Sequence, residues 1–363
     1  MAKAEDFLNK FKSEGLGPFI EIPCSILKPL INRIIEDREI ELINPVNEGI
    51  AIGIASGAYM SSGQIPVVMI QNSGHLNTFN ALTSLLQLYE IPILYLITWR
   101  GEPGKKDAPE HLITGINLER HLKSFDLPYI ILSENYEKEI EKAVRILKET
   151  KKPVALILKK GLIEDYKIEI KTEEKFMSRF DALKIIKNIA KDVIFISTNG
   201  HISRDSFAVK DSNDFYMMGS MGHALPIGLG ISMNTKKKVF VLDGDGACLM
   251  HLGAMASVGK HKPKNLVHIV IDNETYGSTG KQPTVSPFVN FVKIAEGCGY
   301  KNFEKIEDRE ELEKAVKNAL EKDGPTFIHV KINKSEEKRP RASDKYTCTE
   351  IKERFMKNFE PFG

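Results

Sequence analysis

Two glycines, a carboxylate and an amide are spaced along one stretch of the chain in a way that suits a metal ion and a phosphate. The run VFVLD leads into Gly244-Asp245-Gly246, and a helix is predicted to follow at once. Glycines let the backbone approach a ligand closely, and a helix N-terminus presents unpaired N–H groups to an anion. Asp245 and a second oxygen ligand at the end of the next predicted strand, where Asp272-Asn273-Glu274-Thr275 follows, would suit Mg²⁺, which prefers oxygen ligands. The spacing fits neither the G-x-G-x-x-G of dinucleotide-binding folds nor a G-K-[ST] phosphate loop.

Such residues need strands and helices that bring them to one edge of a sheet. The apolar runs of the chain are short, continuous and often rich in Val and Ile, which is typical of strands buried on both faces of a parallel sheet. Helical stretches lie between them, for example at residues 136–149 and 309–321. We therefore predict an α/β fold. The predicted strands are residues 65–71, 91–99, 128–132 and 154–158 in the first half, and 193–197, 239–242, 266–272 and 327–332 in the second.

The two halves of the chain are alike in the order of their predicted elements. In each half a Gly- and Ala-rich segment precedes a buried strand, a polar turn, an apolar helix and a second strand. Many α/β domains share this rhythm, so a duplication and a merely common architecture both remain open. We predict two domains, at residues 1–165 and 179–363, joined by a charged linker at residues 166–178.

Composition excludes several classes of protein. The 363 residues include 51 basic and 49 acidic side chains, and this balance gives no electrostatic signature of nucleic-acid binding. The four cysteines form no C-x-x-C pair, so neither a zinc cluster nor a disulfide framework is predicted. The charged N-terminus lacks the apolar core of a signal peptide, and no apolar run approaches the roughly 18 residues of a membrane span. We expect a cytoplasmic protein with no nucleic-acid or membrane partner.

The GDG motif, followed by 26 residues and then an asparagine, resembles the signature of the thiamine-diphosphate enzymes. The resemblance implies two thiamine-diphosphate-binding domains, each a parallel sheet flanked by helices: a pyrimidine-binding domain and then a diphosphate-binding domain. It implies that Mg²⁺ is bound by the side chains of Asp245 and Asn273 and by the carbonyl of Thr275. The residues implied in binding the diphosphate are Gly244, Gly246 and Ala247, the last two through their amides.

Two further segments resemble parts of the same family. Glu48, in the segment NPVNEG, matches the glutamate that activates the cofactor by a hydrogen bond to its aminopyrimidine ring, and a dry pocket would raise the pKa of such a carboxyl. From the residues alone, Asn47 and Glu48 could equally cap a helix. The segment FYMMGSMG resembles the loop that shapes the cofactor. There the Gly219 carbonyl would accept from the 4′-amino group, Ser220 would contact the cofactor, and Met221 would support its two rings.

The order of the two domains, with no third domain between them, narrows the resemblance. Together with the segments IPCSILKPLIN, QNSG, WRGEPG and STGKQPTVS, it resembles the phosphonopyruvate decarboxylases and the related sulfopyruvate decarboxylases. The resemblance implies a carboxy-lyase that converts 3-phosphonopyruvate to phosphonoacetaldehyde and CO₂, with 3-sulfopyruvate or another 2-oxo acid as the alternative. Carboligation and a non-catalytic binding role are further alternatives. Because the family places its cofactor between domains of different subunits, a homo-oligomer, at least a dimer, is also implied.

A 2-oxo acid with a second anionic group needs cationic partners. Arg100 and Lys105 in the WRGEPGK segment, and Lys281 in the KQPT segment, are the predicted substrate-binding residues, because a phosphonate suits guanidinium and ammonium donors. Each of them could instead be a solvated loop charge.

Protonation of the product needs an acid–base group. His75 and His111 are the predicted catalytic histidines, in that order, and His251 is a third candidate that could instead be a packed helix residue. After QNSG the family usually has Leu-Gly-Asn, whereas this chain has His75-Leu76-Asn77. The segment before Ser278 is closer to the sulfopyruvate relatives, so the identity of the acid stays open.

Overall fold

The short apolar runs of the sequence form the strands of two parallel sheets. The computed structural model describes residues 1–168, 175–334 and 337–359. The chain divides into two compact units, Met1–Glu169 and Ile170–Gly363. Of the predicted linker at residues 166–178, residues 169–174 lie outside the described residues. Both units are sheets flanked by helices, so the predicted α/β fold class is confirmed.

The first unit contains a six-stranded sheet in the order β2-β1-β3-β4-β6-β5, with every pair parallel. Its strands are β1 Phe19–Glu21, β2 Leu42–Ile43, β3 Val67–Gln71, β4 Leu94–Thr98, β5 Tyr129–Ile131 and β6 Val154–Leu158. Its helices are α1 Ala4–Ser13, α2 Lys28–Glu36, α3 Glu48–Ser62, α4 Asn72–His75, α5 Phe79–Ala81, α6 Pro109–Ser124 and α7 Tyr136–Thr150. Short 3-10 and π-helical turns at Leu76–Thr78 and Leu82–Gln87 continue the chain around α5.

The second unit contains a six-stranded parallel sheet in the order β13-β14-β10-β9-β7-β8, and a separate two-stranded hairpin, β11-β12. Its strands are β7 Ile194–Ser197, β8 Phe215–Tyr216, β9 Val239–Gly244, β10 Leu266–Asp272, β11 Thr275–Tyr276, β12 Gln282–Pro283, β13 Asn302–Ile306 and β14 Thr326–Lys331. Its helices are α8 Arg179–Ile189, α9 His201–Val209, α10 Ala224–Ser232, α11 Asp245–Met250, α12 Ala254–His261, α13 Phe291–Gly297, α14 Arg309–Glu321 and α15 Cys348–Met356.

The strands that the sequence did not predict are short or lie at sheet edges. The predicted strands at 154–158 and 266–272 coincide with β6 and β10, and the predicted helix at 309–321 coincides with α14. Strands β1, β2, β8, β11, β12 and β13 were missed. Of these, β2, β8 and β13 are edge strands with part of their surface in solvent, and β11 and β12 are two-residue strands of the separate hairpin. An edge strand has no need of a continuous apolar run, so the pattern that marks central strands is weak there.

The core of each unit lies between the sheet and the helices. In the first unit, Phe7, Leu30 and Val144 from α1, α2 and α7 belong to one buried cluster with strand residues such as Met69. In the second unit, buried residues of α8 and α14 belong to one cluster with residues of β7, β9, β10 and β14. Among the described residues, no helix is both long enough and apolar enough to cross a membrane.

Parallel pairing places the turns after neighbouring strands side by side. In the second unit the register pairs Ile271 of β10 with Gly244 of β9, so the turns that follow these strands are adjacent. In the first unit Gln71 pairs with Thr98, so the QNSG and WRGEPG segments begin next to each other. Sites in open α/β sheets form at this carboxyl edge.

Glu21, the last residue of β1, is a buried carboxyl group with no hydrogen-bond partner for either oxygen among the described residues. Burial raises its pKa from 4.5 to about 8. The folded chain therefore holds a proton at neutral pH that the unfolded chain releases. The protonated carboxyl group of Glu21 therefore contributes stability that is complete below the unfolded pKa. This stability is lost as the pH rises from the unfolded pKa through the folded pKa, by about 1.4 kcal/mol per pH unit between the two.

We expect Glu21→Gln to remove this loss of stability with rising pH. The free energy of unfolding of the variant minus that of the wild-type chain should become more positive from pH 5.5 to pH 7.5, with a slope of about 1.4 kcal/mol per pH unit. Urea unfolding at several pH values measures this difference, and Glu149→Gln, at an exposed position of α7, is the control. A difference that stays constant with pH would contradict the assignment of the buried proton to Glu21.

Candidate active site

The second unit gathers most of the predicted cofactor residues around one small cavity. The cavity, of about 80 Å³, lies where β9 ends and α11 begins. Gly219 and Ser220 are not part of its wall, although they directly precede Met221. The predicted residues that line it are Met221, Gly244, Asp245, Gly246, Ala247, Asn273 and Thr275.

Asp245 lies buried at the first position of α11 and is held by one hydroxyl group. Thr284 Oγ1 donates to Asp245 Oδ2 at 2.5 Å. Burial and the charge of Asp272 raise the pKa of Asp245, and the hydrogen bond from Thr284 and the charge of Lys331 offset only part of this rise. A divalent cation at this carboxylate would supply the missing positive charge.

The other two predicted ligands lie in the turn after β10. Asn273 Oδ1 accepts from the Thr275 amide at 3.2 Å, and the Thr275 carbonyl accepts from the Gly277 amide at 3.1 Å, which leaves each oxygen a second lone pair. Thr275 Oγ1 is buried without a partner among the described residues. One carboxylate and two neutral oxygens form a donor set that suits Mg²⁺, so the residues fit the predicted ion.

Gly246 marks the point where the two turns touch. A Cβ at this position would lie 2.5 Å from Cε1 of Tyr276, so only glycine fits between α11 and the hairpin β11-β12. The hydrogen bond from the Thr284 amide to the Glu274 carbonyl, at 2.9 Å, ties the hairpin to the same turn. The absence of a side chain at Gly246 also lets the backbone and a ligand approach each other closely at this point.

The loop after β8 and the end of α11 lie against each other. Ser220 has a left-handed backbone with φ of 54°, and its carbonyl accepts from the His223 amide at 3.1 Å. His251 follows α11, and its ring lies 4.5 Å from that of His223. Burial and the neighbouring His223 lower the pKa of His251, which favours its neutral form.

The cavity has a third wall that the sequence prediction missed. Asn199, Gly200 and His201 line it at the start of α9, directly after β7. Gly200 has a left-handed φ of 84° and lies between the buried strand β7 and α9, much as Gly244 ends β9 directly before α11. The strand–glycine–helix pattern in the segment STNGHIS is the sequence signal that could have predicted this third wall.

In the first unit, Glu48 is buried at the first position of α3 and hydrogen-bonded to a side chain. Asn77 Nδ2 donates to Glu48 Oε2 at 2.9 Å. A Cβ at Gly74 would overlap Glu48 Oε1, so this glycine makes room for the carboxyl group. Burial raises the pKa of Glu48, and the bond from Asn77 offsets part of that shift. The helix is capped by Asn47, whose Oδ1 accepts from the Ile50 amide at 2.9 Å, so Glu48 is not needed as the cap.

Arg100 is paired within its own loop. Its Nε and Nη2 donate to Asp107 Oδ2 and Oδ1 at 2.8 and 2.5 Å, and its Nη1 lies 3.2 Å from Ser25 Oγ. Although burial opposes ionisation of the Asp107 carboxyl group, the hydrogen-bonded Arg100 guanidinium holds the pKa of Asp107 well below its usual range. Any anion bound by Arg100 would have to share it with Asp107. Lys105 is exposed in the same loop.

Lys281 lies in the turn of the hairpin β11-β12, with a left-handed φ of 65°. Its amide donates to the Tyr276 carbonyl at 3.1 Å, and its side chain is partly exposed. The hairpin begins at Thr275, so Lys281 belongs to the same segment as a predicted metal ligand.

The two predicted catalytic histidines have different surroundings. His75 is fully buried, with its ring edge-on to Phe79 and Tyr95 at 5.1 and 5.3 Å, and burial lowers its pKa to about 3. This environment favours a packed neutral imidazole over an acid–base role. His111, near the start of α6, has Nδ1 3.5 Å from Gln71 Nε2 and Nε2 3.9 Å from a carboxylate oxygen of the residue before it.

Comparison with known proteins points to one family for both halves. The N-terminal TPP-binding domain of the thiamine pyrophosphate enzymes matches residues 1–117, and the C-terminal TPP-binding domain matches residues 200–330. The chain is 33% identical to a phosphonopyruvate decarboxylase of Streptomyces viridochromogenes, over 98% of this chain and 94% of the relative. It is 30% identical to a sulfopyruvate decarboxylase of Methanosarcina acetivorans, over 90% of both chains. A sulfopyruvate decarboxylase subunit beta of Methanocaldococcus jannaschii is 42% identical over 43% of this chain and 84% of the relative.

Proposed function

Because the chain belongs to the thiamine pyrophosphate enzymes, in the group that contains the phosphonopyruvate and sulfopyruvate decarboxylases, we propose that it decarboxylates 3-phosphonopyruvate to phosphonoacetaldehyde and CO₂. The observation that carries this choice of substrate is the similarity to a phosphonopyruvate decarboxylase over nearly the full length of both chains. The enzyme is then a carboxy-lyase with thiamine diphosphate and Mg²⁺ as cofactors.

Two domains would share the binding of the cofactor. We assign residues 1–165 to the pyrimidine-binding domain, 166–178 to the linker and 179–363 to the diphosphate-binding domain. The matched ranges 1–117 and 200–330 fall within these domains and support the assignment.

In the second domain, Asp245, Asn273 and the Thr275 carbonyl would hold Mg²⁺, and the amides of Gly246 and Ala247 would contact the diphosphate. The common cavity wall and the all-oxygen donor set support these roles. Met221 of the same wall, with Gly219 and Ser220 before it, would hold the shape of the cofactor.

In the first domain, Glu48 would hold and transfer the proton that activates the cofactor. Bound thiamine diphosphate supplies a nucleophilic carbon and an electron sink for the loss of CO₂. Burial of Glu48 and its bond from Asn77 support this role, because they keep one carboxyl oxygen fixed and raise the pKa. For protonation of the product, His111 is a better candidate than the fully buried His75, and His251 remains a further one.

The tail anion of the substrate would bind to loop cations. Among the described residues, no carboxylate lies within ion-pair distance of Lys105 or Lys281, so both have charge to offer. Arg100 would contribute through the guanidinium edge that faces Ser25.

We also propose that the protein is a homo-oligomer, at least a dimer. Leu112, Ile113 and Ile116 on α6 expose 42%, 77% and 66% of their surface in the single chain, and a subunit interface would cover them. The naming of one relative as a subunit supports an assembled enzyme.

The test is a substrate panel with the purified, Mg²⁺- and cofactor-loaded protein. We expect release of CO₂ and aldehyde from 3-phosphonopyruvate, and a much lower kcat/KM for pyruvate, because pyruvate lacks the tail anion. The similarity to a sulfopyruvate decarboxylase over 90% of the chain makes 3-sulfopyruvate the second candidate. Turnover of 3-sulfopyruvate without turnover of 3-phosphonopyruvate would overturn the first choice, and a ligated product formed with an added aldehyde would indicate carboligation.

A further inference from the structure

Each of the two turns assigned to the metal ion follows an aspartate that is buried at the end of a strand. Asp243 on β9 precedes Asp245 by two residues, and Asp272 on β10 directly precedes Asn273. Both aspartates are 1% exposed, and neither is one of the assigned ligands. A buried carboxylate is costly unless it is paired and hydrogen-bonded, so the partners of these two need an explanation.

Each aspartate is paired with a histidine from the next strand of the sheet. His268 Nε2 on β10 lies 3.3 Å from Asp243 Oδ2, and His329 Nε2 on β14 lies 2.8 Å from Asp272 Oδ2. Asp272 Oδ2 also accepts from Lys331 Nζ, at the end of β14, at 2.9 Å. Because an ionised carboxylate can only accept a hydrogen bond, Nε2 carries the proton in both imidazoles.

The two pairs repeat one geometric step across three neighbouring strands. The register sets His268 beside Val241, two residues before Asp243. It sets His329 beside Val270, two residues before Asp272. In both cases the imidazole therefore reaches one pleat forward along the sheet to the aspartate.

The second oxygen of each aspartate holds the turn itself. Asp243 Oδ1 accepts from the Gly244 amide at 3.0 Å. Asp272 Oδ1 accepts from the Glu274 amide and from Ser286 Oγ, each at 2.9 Å. Each aspartate thus links a strand-borne histidine to the backbone that presents a metal ligand.

We propose that His268 and His329 are positioning residues that fix the two metal-binding turns, each acting through its aspartate. The inference rests on the proposed function only in placing Mg²⁺ and the cofactor at these turns. Groups that orient metal ligands commonly change metal affinity by roughly 10–100-fold when they are removed.

The test compares Gln and Asn at both positions. A glutamine amide reaches about as far as the Nε2 of histidine, whereas asparagine is one methylene shorter and falls short of the aspartate. Mg²⁺ is titrated calorimetrically into the full chain with saturating thiamine diphosphate and no 2-oxo acid. We expect His268→Asn and His329→Asn to bind Mg²⁺ at least about tenfold more weakly, and the two Gln variants to stay within about threefold of wild type. Where an Asn variant does not fold, Leu at the same position replaces it.

Matched controls separate positioning from packing. Phe327 and Phe291 lie edge-on to the rings of His268 and His329 at 5.3 and 5.1 Å, so Phe327→Leu and Phe291→Leu loosen the packing and keep the Asp–His bonds. They should lower the free energy of unfolding and leave Mg²⁺ affinity unchanged. Wild-type affinity in the Asn variants, or an equal loss in the Leu controls, would overturn the proposal.

One further control concerns the thiol of Cys248, which lies near the Asp243–His268 pair. Potential ligand atoms of Asp243, Cys248 and His268 all lie within 4.8 Å of one another, an arrangement that could bind a thiophilic metal. We expect Cys248→Ala to leave Mg²⁺ affinity unchanged, and a loss as large as that of His268→Asn would overturn the positioning role of His268. Protein that binds Mg²⁺ and cofactor but decarboxylates neither acid would refute the proposed function alone.

Discussion

Replacing Glu48 by Gln is expected to reduce kcat by roughly 10²–10⁴-fold, the usual contribution of a positioned acid–base group. Gln keeps an oxygen that can accept the bond from Asn77 and occupies the same volume above Gly74. It cannot release or take up a proton, so the loss falls on catalysis. Calorimetric binding of thiamine diphosphate with Mg²⁺ should stay within about threefold of wild type, because the residues assigned to the metal ion and the diphosphate lie in the other domain.

Two further measurements distinguish a loss of catalysis in Glu48→Gln from a loss of folding. The free energy of unfolding of Glu48→Gln should not fall, since the variant removes a carboxyl group that burial disfavours in its charged form. Glu149→Gln, an exposed change in the same unit, should keep wild-type turnover. Full activity in Glu48→Gln would show that cofactor activation does not depend on this carboxyl group.

The parts of the fold and site that could be predicted are those specified by local sequence. A strand that is buried on both faces must be apolar along its length, which is why β6 and β10 were located to the residue. The turns of a parallel sheet meet at its carboxyl edge, so the spacing from the GDG motif to Asn273 placed Asp245, Asn273 and Thr275 around one cavity.

The parts that could not be predicted depend on contacts between segments distant in sequence. The burial of His75 is determined by Tyr95 on a neighbouring strand as well as by Phe79, and nothing in QNSGH distinguishes it from the less enclosed His111. The room that Gly74 leaves for Glu48 depends on where α3 begins relative to α4. The pairing of His329 with Asp272 joins residues 57 positions apart, and only the strand register brings them together.

Arg100 illustrates a second limit of the sequence. A cation in a glycine-rich loop was equally compatible with a substrate-binding residue and a solvated charge. The structure shows a third arrangement, in which Arg100 forms an ion pair with Asp107. The Asp107 carboxylate also accepts hydrogen bonds from the amides of Gly101 and Ala108 at 2.9 and 2.8 Å. Because Arg100 is already engaged in holding its own loop, Lys105 and Lys281 are the stronger candidates for binding the tail anion of the substrate.

Replacing Asp245 by Asn is expected to weaken Mg²⁺-dependent binding of thiamine diphosphate by roughly 10²-fold or more, since loss of one member of a buried charge pair costs about 3–5 kcal/mol. Asn can still accept the bond from Thr284, so the turn should keep its shape. Without metal and cofactor, the variant should be at least as stable as wild type, because it no longer buries a carboxylate beside Asp272. Stability and cofactor affinity should therefore change in different directions.

This difference in direction distinguishes a metal ligand from a structural carboxylate. Asp308→Ala is the matched control, since it removes the side chain that caps α14 by accepting from the Glu311 amide at 2.9 Å. It should cost about 1 kcal/mol of stability and leave cofactor affinity unchanged. Urea unfolding without ligands and calorimetry with Mg²⁺ and thiamine diphosphate measure the two quantities separately. If Asp245→Asn instead lost stability as the control does and bound the cofactor like wild type, Asp245 would be a structural residue, and the metal ion would have to bind elsewhere.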